Sequence, residues 1–121
     1  MQDILAKFGK SFITSVRDAS IDALRDKVNG ESKAPAVKKW IARFSEEDRK
    51  AMLEIVSLAV DQTLFQALFF FESNEEFRIS TSIAGSIIDI GSISDGLSGE
   101  LFSTNGWISK FSSSQASKVL K

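Results

Sequence analysis

The sequence predicts an α+β fold that is mostly helical, with a long central helix, a small antiparallel β-hairpin and short C-terminal helices. Apolar residues recur at helical spacing through the first 73 positions, and neither Gly nor Pro interrupts residues 46–72. After residue 76, Ser and Gly become frequent and β-branched residues alternate with polar ones, as in short strands. A length of 121 residues fits a single domain. We expect residues 1–73 to be helical and residues 76–121 to hold the hairpin and short helices.

The first predicted helix covers residues 3–28, and Asn29-Gly30 supplies its stop. Its predicted core face consists of Ile4, Leu5, Phe8, Phe12, Ile13, Val16, Ala19, Ala23 and Leu24, whereas Lys7, Thr14, Asp18 and Arg25 lie opposite. Pro35 suits the first turn of a short second helix that ends near Phe44. There, the spacing predicts that Trp40, Ile41 and Phe44 are buried.

The central helix is predicted to begin after Ser45, an N-cap followed by three acids, and to reach about Phe71. Its polar residues form a narrow stripe, which we interpret as facing solvent: Lys50, Glu54, Ser57, Asp61 and Glu72. With Glu54 at 0°, an arc from about 100° to 280° is the predicted core face. It contains Ile55, Val56, Ala59, Val60, Leu64, Ala67, Phe70 and Phe71.

Three large apolar side chains, Leu58, Phe65 and Phe69, fall outside that core arc, beside the acids. A soluble protein rarely leaves such aromatic residues contiguous and open. Two interpretations follow: the C-terminal part of the chain covers them, or they form the surface that binds a partner or a second copy.

Residues 77–82 and 86–93 predict two paired strands, with Ala84-Gly85 as the turn. A helix remains an alternative, because Ile83, Ile87, Ile90, Leu97 and Leu101 also have helical spacing. A short helix is predicted to start near Ser94 or Asp95. One or two more follow Trp107, with Val119 and Leu120 on their apolar side.

The chain contains neither Cys nor His. Disulfides, thiolate zinc sites and cysteine nucleophiles are therefore excluded, and so are the commonest general base and the usual catalytic triad. The N-terminus lacks the continuous apolar run of a signal peptide. The apolar region 55–71 looks too short and too polar for a membrane span. We therefore expect a cytoplasmic protein that does not enter a membrane.

Charge is distributed unevenly, since residues 51–100 carry eight acids and only one base, Arg78. Such a segment disfavours nucleic acid and favours a basic partner, although a solvated acidic face is the simpler explanation.

Candidate chemical sites are weak. Glu54 and Asp61 lie seven residues apart on one helical face, as carboxylates on solvated helices often do, and Asp89 and Asp95 lack the ligand spacing of a calcium loop. The Gly/Ser-rich residues 91–106 lack a phosphate-binding motif. Lys38 and Lys39 beside Trp40 suit a core helix better than a nucleic-acid surface. We predict no catalytic residue, metal or cofactor.

The segments "WIARFSEEDRKAMLEIVSLAVDQTLFQALFF" and "ISDGLSGELFSTNGWISKFS" resemble a pattern in small uncharacterised bacterial proteins. The likeness covers roughly residues 40–112 and implies no catalytic residue. In size, acidic middle and lack of catalytic groups, the chain is also similar to immunity proteins of bacterial toxin systems, including contact-dependent growth inhibition.

The sequence therefore favours a non-enzymatic protein-binding module, most concretely an immunity protein that occludes a basic toxin domain. Its predicted partner-binding residues are Glu54, Leu58, Asp61, Phe65, Phe69 and Glu72. The alternatives are a structural homo-oligomer built on the long helix and, third, a small carboxylate-dependent enzyme.

Overall fold

The computed structural model describes residues 2–113 and confirms the α+β fold. Its helices are α1 (Gln2–Phe12), a π-helical segment (Ile13–Asp18), α2 (Ala19–Val28), α3 (Pro35–Ile41), α4 (Glu46–Ser73) and α5 (Trp107–Phe111). Strands β1 (Ser80–Ile83) and β2 (Ser86–Asp89) form the hairpin, and 3-10 turns cover Ile90–Ile93 and Ser98–Glu100. The predicted terminal helical residues Val119 and Leu120 lie outside the described residues.

The first predicted helix is continuous over residues 2–28, but its inward face differs from the prediction after Ile13. Val16 is 40% exposed and Ala19 and Ala23 are exposed, whereas Arg17 and Ile21 are buried. The π-helical segment explains this change, because its wider i→i+5 turn accommodates an extra residue and shifts the face by one position. Arg17 and Asp18 consequently point inward.

Local capping sets the limits of α3 and α4. Pro35 occupies the first turn of α3, as predicted. Ser45 and Asp48 form a reciprocal capping box at the start of α4, in which each side chain accepts the other's backbone N–H at 3.1 Å. Ile41 is buried as expected, but Trp40 is 57% exposed, which contradicts its predicted burial. Only part of the face of α3 that was predicted to be buried therefore faces the core.

Helix α4 has the expected limits but a different orientation about its axis. Ser57, Leu64 and Leu68 are buried, whereas Ile55 is 65% exposed and Phe70 is 46% exposed. The buried side is centred near 300° on the scale set by Glu54, about 110° from the middle of the predicted core arc. The polar stripe that we interpreted as facing solvent therefore lies largely against the protein.

The hairpin is confirmed, with Ser80 opposite Asp89 and Ile83 opposite Ser86. Ala84 and Gly85 both have positive φ, 51° and 82°, which matches the right-handed twist that a two-residue hairpin turn requires. Arg78 fastens the hairpin to the end of α4, since it donates to the Phe71 and Asn74 carbonyls at 3.1 Å. Its guanidinium also donates to Asp89 and holds the pKa of that carboxyl below its ordinary value.

Residues from both parts of the chain build the hydrophobic core. Its buried members are Leu5, Ile13, Leu64, Leu68, Ile90, Leu97, Leu101, Trp107 and Ile108. Trp107 packs directly on α1 at Gly9, where a Cβ atom would lie 2.5 Å from the indole. The predicted helix near Ser94 is instead a single 3-10 turn at Ser98–Glu100. This turn packs on α4 and completes the core.

By length and composition alone, α4 is able to cross a membrane, and only 17% of its apolar window is buried. The expectation that this region is too short and too polar does not hold on those two measures. The core helix of a soluble protein passes the same test of length and composition, but such a helix is mostly buried.

Candidate protein-binding site

A pocket of about 600 Å³ opens between α4 and the segment that leads into α5. Its walls are mostly apolar, with several hydroxyl and amide groups and two ionised side chains. The lining residues are Arg17, Leu58, Asp61, Gln62, Leu101, Phe102, Ser103, Thr104, Ile108 and Ser109. We call this cavity the Phe102 pocket. Its dimensions and walls suit an apolar side chain presented by another molecule.

An ion-pair network supports one side of the pocket. Arg17 donates to both carboxylate oxygens of Asp61, at 2.5 and 3.0 Å, in a bidentate pair. Its Nη1 also donates to Asp18 at 3.1 Å and to the Ser112 hydroxyl at 3.2 Å. Arg17 is fully buried, and the side chains of Asp18 and Asp61 are 5% and 14% exposed. These charges therefore pair with one another between the π-helical segment and α4.

The chain arranges this network through the π-helical segment. Such segments occur often at functional sites, because they turn adjacent side chains in directions that a regular helix does not allow. Here Arg17 reaches α4, while Asp18 accepts the Ser112 hydroxyl at 2.9 Å and the Ser113 backbone N–H at 2.8 Å. The network thereby ties both α4 and the residues after α5 to the π-helical segment.

A row of stacked aromatic rings borders the pocket. Phe65 stacks on Phe102 with 5.9 Å between ring centroids, and on Phe69 at 6.4 Å with the rings parallel to within 1°. Leu58 is 57% exposed, Phe69 45% and Phe102 43%, whereas Phe65 is only partly exposed. We call Leu58, Phe65, Phe69 and Phe102 the aromatic rim. The C-terminal part of the chain thus covers Phe65 but leaves Leu58 and Phe69 largely open to solvent.

The six predicted partner-binding residues divide into three groups. Leu58 and Asp61 line the Phe102 pocket, Phe65 stacks on its wall residue Phe102, and Phe69 stacks on Phe65. Glu54 is exposed one helical turn before Leu58. Glu72 lies elsewhere, where its carboxylate accepts the Ser98 backbone N–H and hydroxyl at 2.8 Å.

The structure adds eight pocket-lining residues that the sequence did not indicate for this site, and three of them are large and apolar. Phe102, Leu101 and Ile108 supply the wall opposite α4. No sequence pattern pointed to them, because their contact with α4 depends on how residues 94–106 fold back. A second aromatic group, in which Phe70 contacts Phe71 and stacks on Phe77, lies further along α4.

The backbone of the pocket wall contains one strained position. Ser103 has φ +88°, a left-handed conformation that residues other than Gly adopt rarely and at a cost of about 1–3 kcal/mol. Its carbonyl accepts the Gly106 backbone N–H at 3.1 Å and the Ser109 hydroxyl at 3.2 Å. These bonds hold the loop in the shape that places Phe102 against Phe65.

The ionised groups of this site suit structural support better than acid–base chemistry. Asp61 and Asp18 both share Arg17, so neither carboxylate stands alone at the pocket. Among residues 2–113, no group of three or more Asp or Glu side chains is placed to hold a metal ion. What the site offers another molecule is an apolar cavity with a fixed, stacked aromatic border.

No protein-family model, curated protein or solved structure matches this chain.

Proposed function

We propose that this protein is a non-enzymatic protein-binding module and, more concretely, an immunity protein that neutralises a cognate bacterial toxin by occluding it. The observation that carries the proposal is the aromatic rim beside the Phe102 pocket. Apolar groups exposed together in this way are typical of protein interaction surfaces. Aromatic side chains beside a pocket are also the usual energetic anchors of interfaces.

Rigidity strengthens this proposal. The rim residues lie on the long helix α4 or stack against it, and the Arg17 network fixes the pocket wall. A surface held in its bound shape loses little conformational entropy when a partner binds, so more of the contact energy contributes to affinity. An inhibitor that must occlude a toxin tightly benefits from such preorganisation.

Two of the acids predicted to bind a basic toxin are engaged inside the protein. Asp61 is paired with Arg17 and Glu72 is bound to Ser98, so their charges serve internal contacts. Glu54, Glu75 and Glu76 are exposed, and residues 51–100 keep their large excess of acids. We therefore assign the anchoring contacts to the aromatic rim and the attraction of a basic partner to the surrounding acids.

Co-expression with the product of the adjacent upstream gene tests the proposal. We expect the wild-type chain to restore growth of cells that express a toxic product and to co-purify with it. A Leu58→Ser/Phe69→Ser variant should lose protection, with affinity reduced roughly 30-fold or more, because two anchors are removed. Both side chains are about half exposed, so circular dichroism should show an intact fold.

The matched control is Phe77→Ser/Ile87→Ser, which changes two residues of similar or greater exposure, 56% and 79%, near the hairpin. It should protect as well as the wild type. An absence of both toxicity and co-purification would reject the immunity function. Full protection by the Leu58→Ser/Phe69→Ser variant would instead reject the aromatic rim as its binding site.

A further inference from the structure

The outer face of α4 carries exposed side chains that do not belong to the aromatic rim, although Gln62 at its edge also lines the Phe102 pocket. Ile55 is 65% exposed, Phe70 is 46% exposed, and Ala59 between them is exposed too. Near the middle of this face lie the exposed polar residues Gln62, Thr63 and Gln66. All six fall within about 100° of arc, on the side of the helix away from Leu64 and Leu68. This stripe is as wide as the contact face of a packed helix.

We propose that this face, the outer face of α4, binds the same face of a second copy in an antiparallel homodimer. A two-fold axis between Gln62 and Thr63 makes the surface complementary to itself. Ile55 lies seven residues before Gln62, and Phe70 lies seven residues after Thr63. Ile55 of one copy therefore packs against Phe70 of the other, on both sides of the axis.

The polar residues at the centre favour a second helix over lipid as the occupant. Gln62 of one copy faces Thr63 of the other at the axis, where their amide and hydroxyl groups can hydrogen-bond across the pair. In a bilayer the same groups would lie near the apolar midplane without water. Helix α4 has the length and apolar composition of a membrane span. Pairing of two copies through this helix explains both features.

Charge distribution favours the antiparallel arrangement. Residues 33–50, which include α3 and the start of α4, contain six bases and three acids. Residues 72–100, which include the end of α4 and the hairpin, contain six acids and one base. An antiparallel pair places the basic end of each copy beside the acidic end of the other, whereas a parallel pair would place like charges together.

Sedimentation over a concentration series tests the proposal on the full chain. We expect a dimer with twice the 13.3 kDa mass of one chain. Its dissociation constant should rise as salt is raised, because the attraction between the basic end of one copy and the acidic end of the other is screened. Ile55→Asp should raise the dissociation constant at least about tenfold. The exposed control Ile87→Asp should leave it unchanged. A strict monomer at all concentrations would overturn the proposal.

Cysteine cross-linking tests the orientation, since the natural sequence has no Cys to interfere. Mixing Ile55→Cys with Phe70→Cys should give a disulfide-linked heterodimer under mild oxidation, whereas neither variant should link efficiently to itself. Efficient self-linking of Ile55→Cys would indicate a parallel pair and overturn the antiparallel one. Co-sedimentation of the monomer with phosphatidylglycerol vesicles, without dimer, would assign the face to lipid and also overturn the proposal.

The two binding surfaces can be tested separately. The Leu58→Ser/Phe69→Ser variant should still dimerise, because neither residue lies in the outer face of α4. Loss of its dimer, with the Ile55→Asp dimer retained, would show that copies associate through the aromatic rim instead.

Discussion

At the scale of single residues, Arg17 decides the geometry of the candidate site. A buried guanidinium is tolerated only when its hydrogen-bond donors are satisfied, and Arg17 makes four bonds to Asp61, Asp18 and Ser112. The pairing is mutual, because both carboxylates are also largely withdrawn from water. Removal of Arg17 would therefore leave the carboxylates of Asp61 and Asp18 without their buried positive partner.

We predict that Arg17→Met lowers the free energy of unfolding by about 3–5 kcal/mol, the usual effect of removing one partner from a buried ion pair. The control is Arg25→Met, which removes the more exposed Arg25–Asp22 pair, with side chains 32% and 46% exposed. That change should be no larger than about 1 kcal/mol. Urea denaturation measures both. Equal effects of the two substitutions would contradict a structural role for the Arg17 network.

At the scale of secondary-structure elements, local sequence signals predicted well where helices and strands begin and end. They predicted poorly which side of a helix is buried. The capping box at Ser45 and the Ala84-Gly85 turn each act over a few residues, so sequence alone indicated where α4 begins and where the hairpin turns. The orientation of α4 depends on Arg17, which is 44 residues away from Asp61. A carboxylate on a helix normally faces water, and nothing in the sequence marked Asp61 or Glu72 as an exception.

The candidate site was predictable to a similar extent. Leu58, Phe65 and Phe69 stood out because large apolar residues lay beside acids; Leu58 does line the pocket, and Phe65 and Phe69 continue the aromatic row from its wall. Phe102 could not be foreseen, since its stacking on Phe65 depends on a strained backbone at Ser103. The π-helical segment was also invisible, because residues 13–18 have the composition of an ordinary helix.

The orientation of α4 can be tested at Ser57, which is fully buried and whose hydroxyl has no hydrogen-bond partner among the described residues. We predict that Ser57→Leu lowers the free energy of unfolding by about 1–3 kcal/mol through overpacking. Ser57→Ala should cause no loss, because it removes an unsatisfied polar group. The control Ala51→Leu, at an exposed position of α4, should stay within about 0.5 kcal/mol. Thermal unfolding of the three variants decides whether Ser57 faces protein or water.

At the scale of the whole molecule, contacts between distant parts of the chain hold the pocket together. The residues after α5 reach Asp18, and Trp107 at the start of α5 packs on α1. Phe8 meets Trp107 edge to face, with 5.7 Å between ring centroids. Ile108, which follows Trp107 directly in the sequence, forms part of the pocket wall. The packing of the Trp107 indole on α1 therefore also positions the candidate binding site.

Gly9 is the test of this long-range packing, because a methyl group there would lie 2.5–2.7 Å from the Trp107 indole. Alanine favours a helix over glycine by about 1 kcal/mol, yet we predict that Gly9→Ala lowers stability by about 1–3 kcal/mol, because the rigid ring must move. The control is Gly99→Ala, where an added Cβ meets nothing within 4 Å and stability should be unchanged or higher. In a Trp40→Phe background, fluorescence reports on Trp107 alone and should shift in the Gly9→Ala variant only. A Gly9→Ala protein that is more stable than the wild type, with unchanged fluorescence, would show that α5 does not pack on α1 in this way.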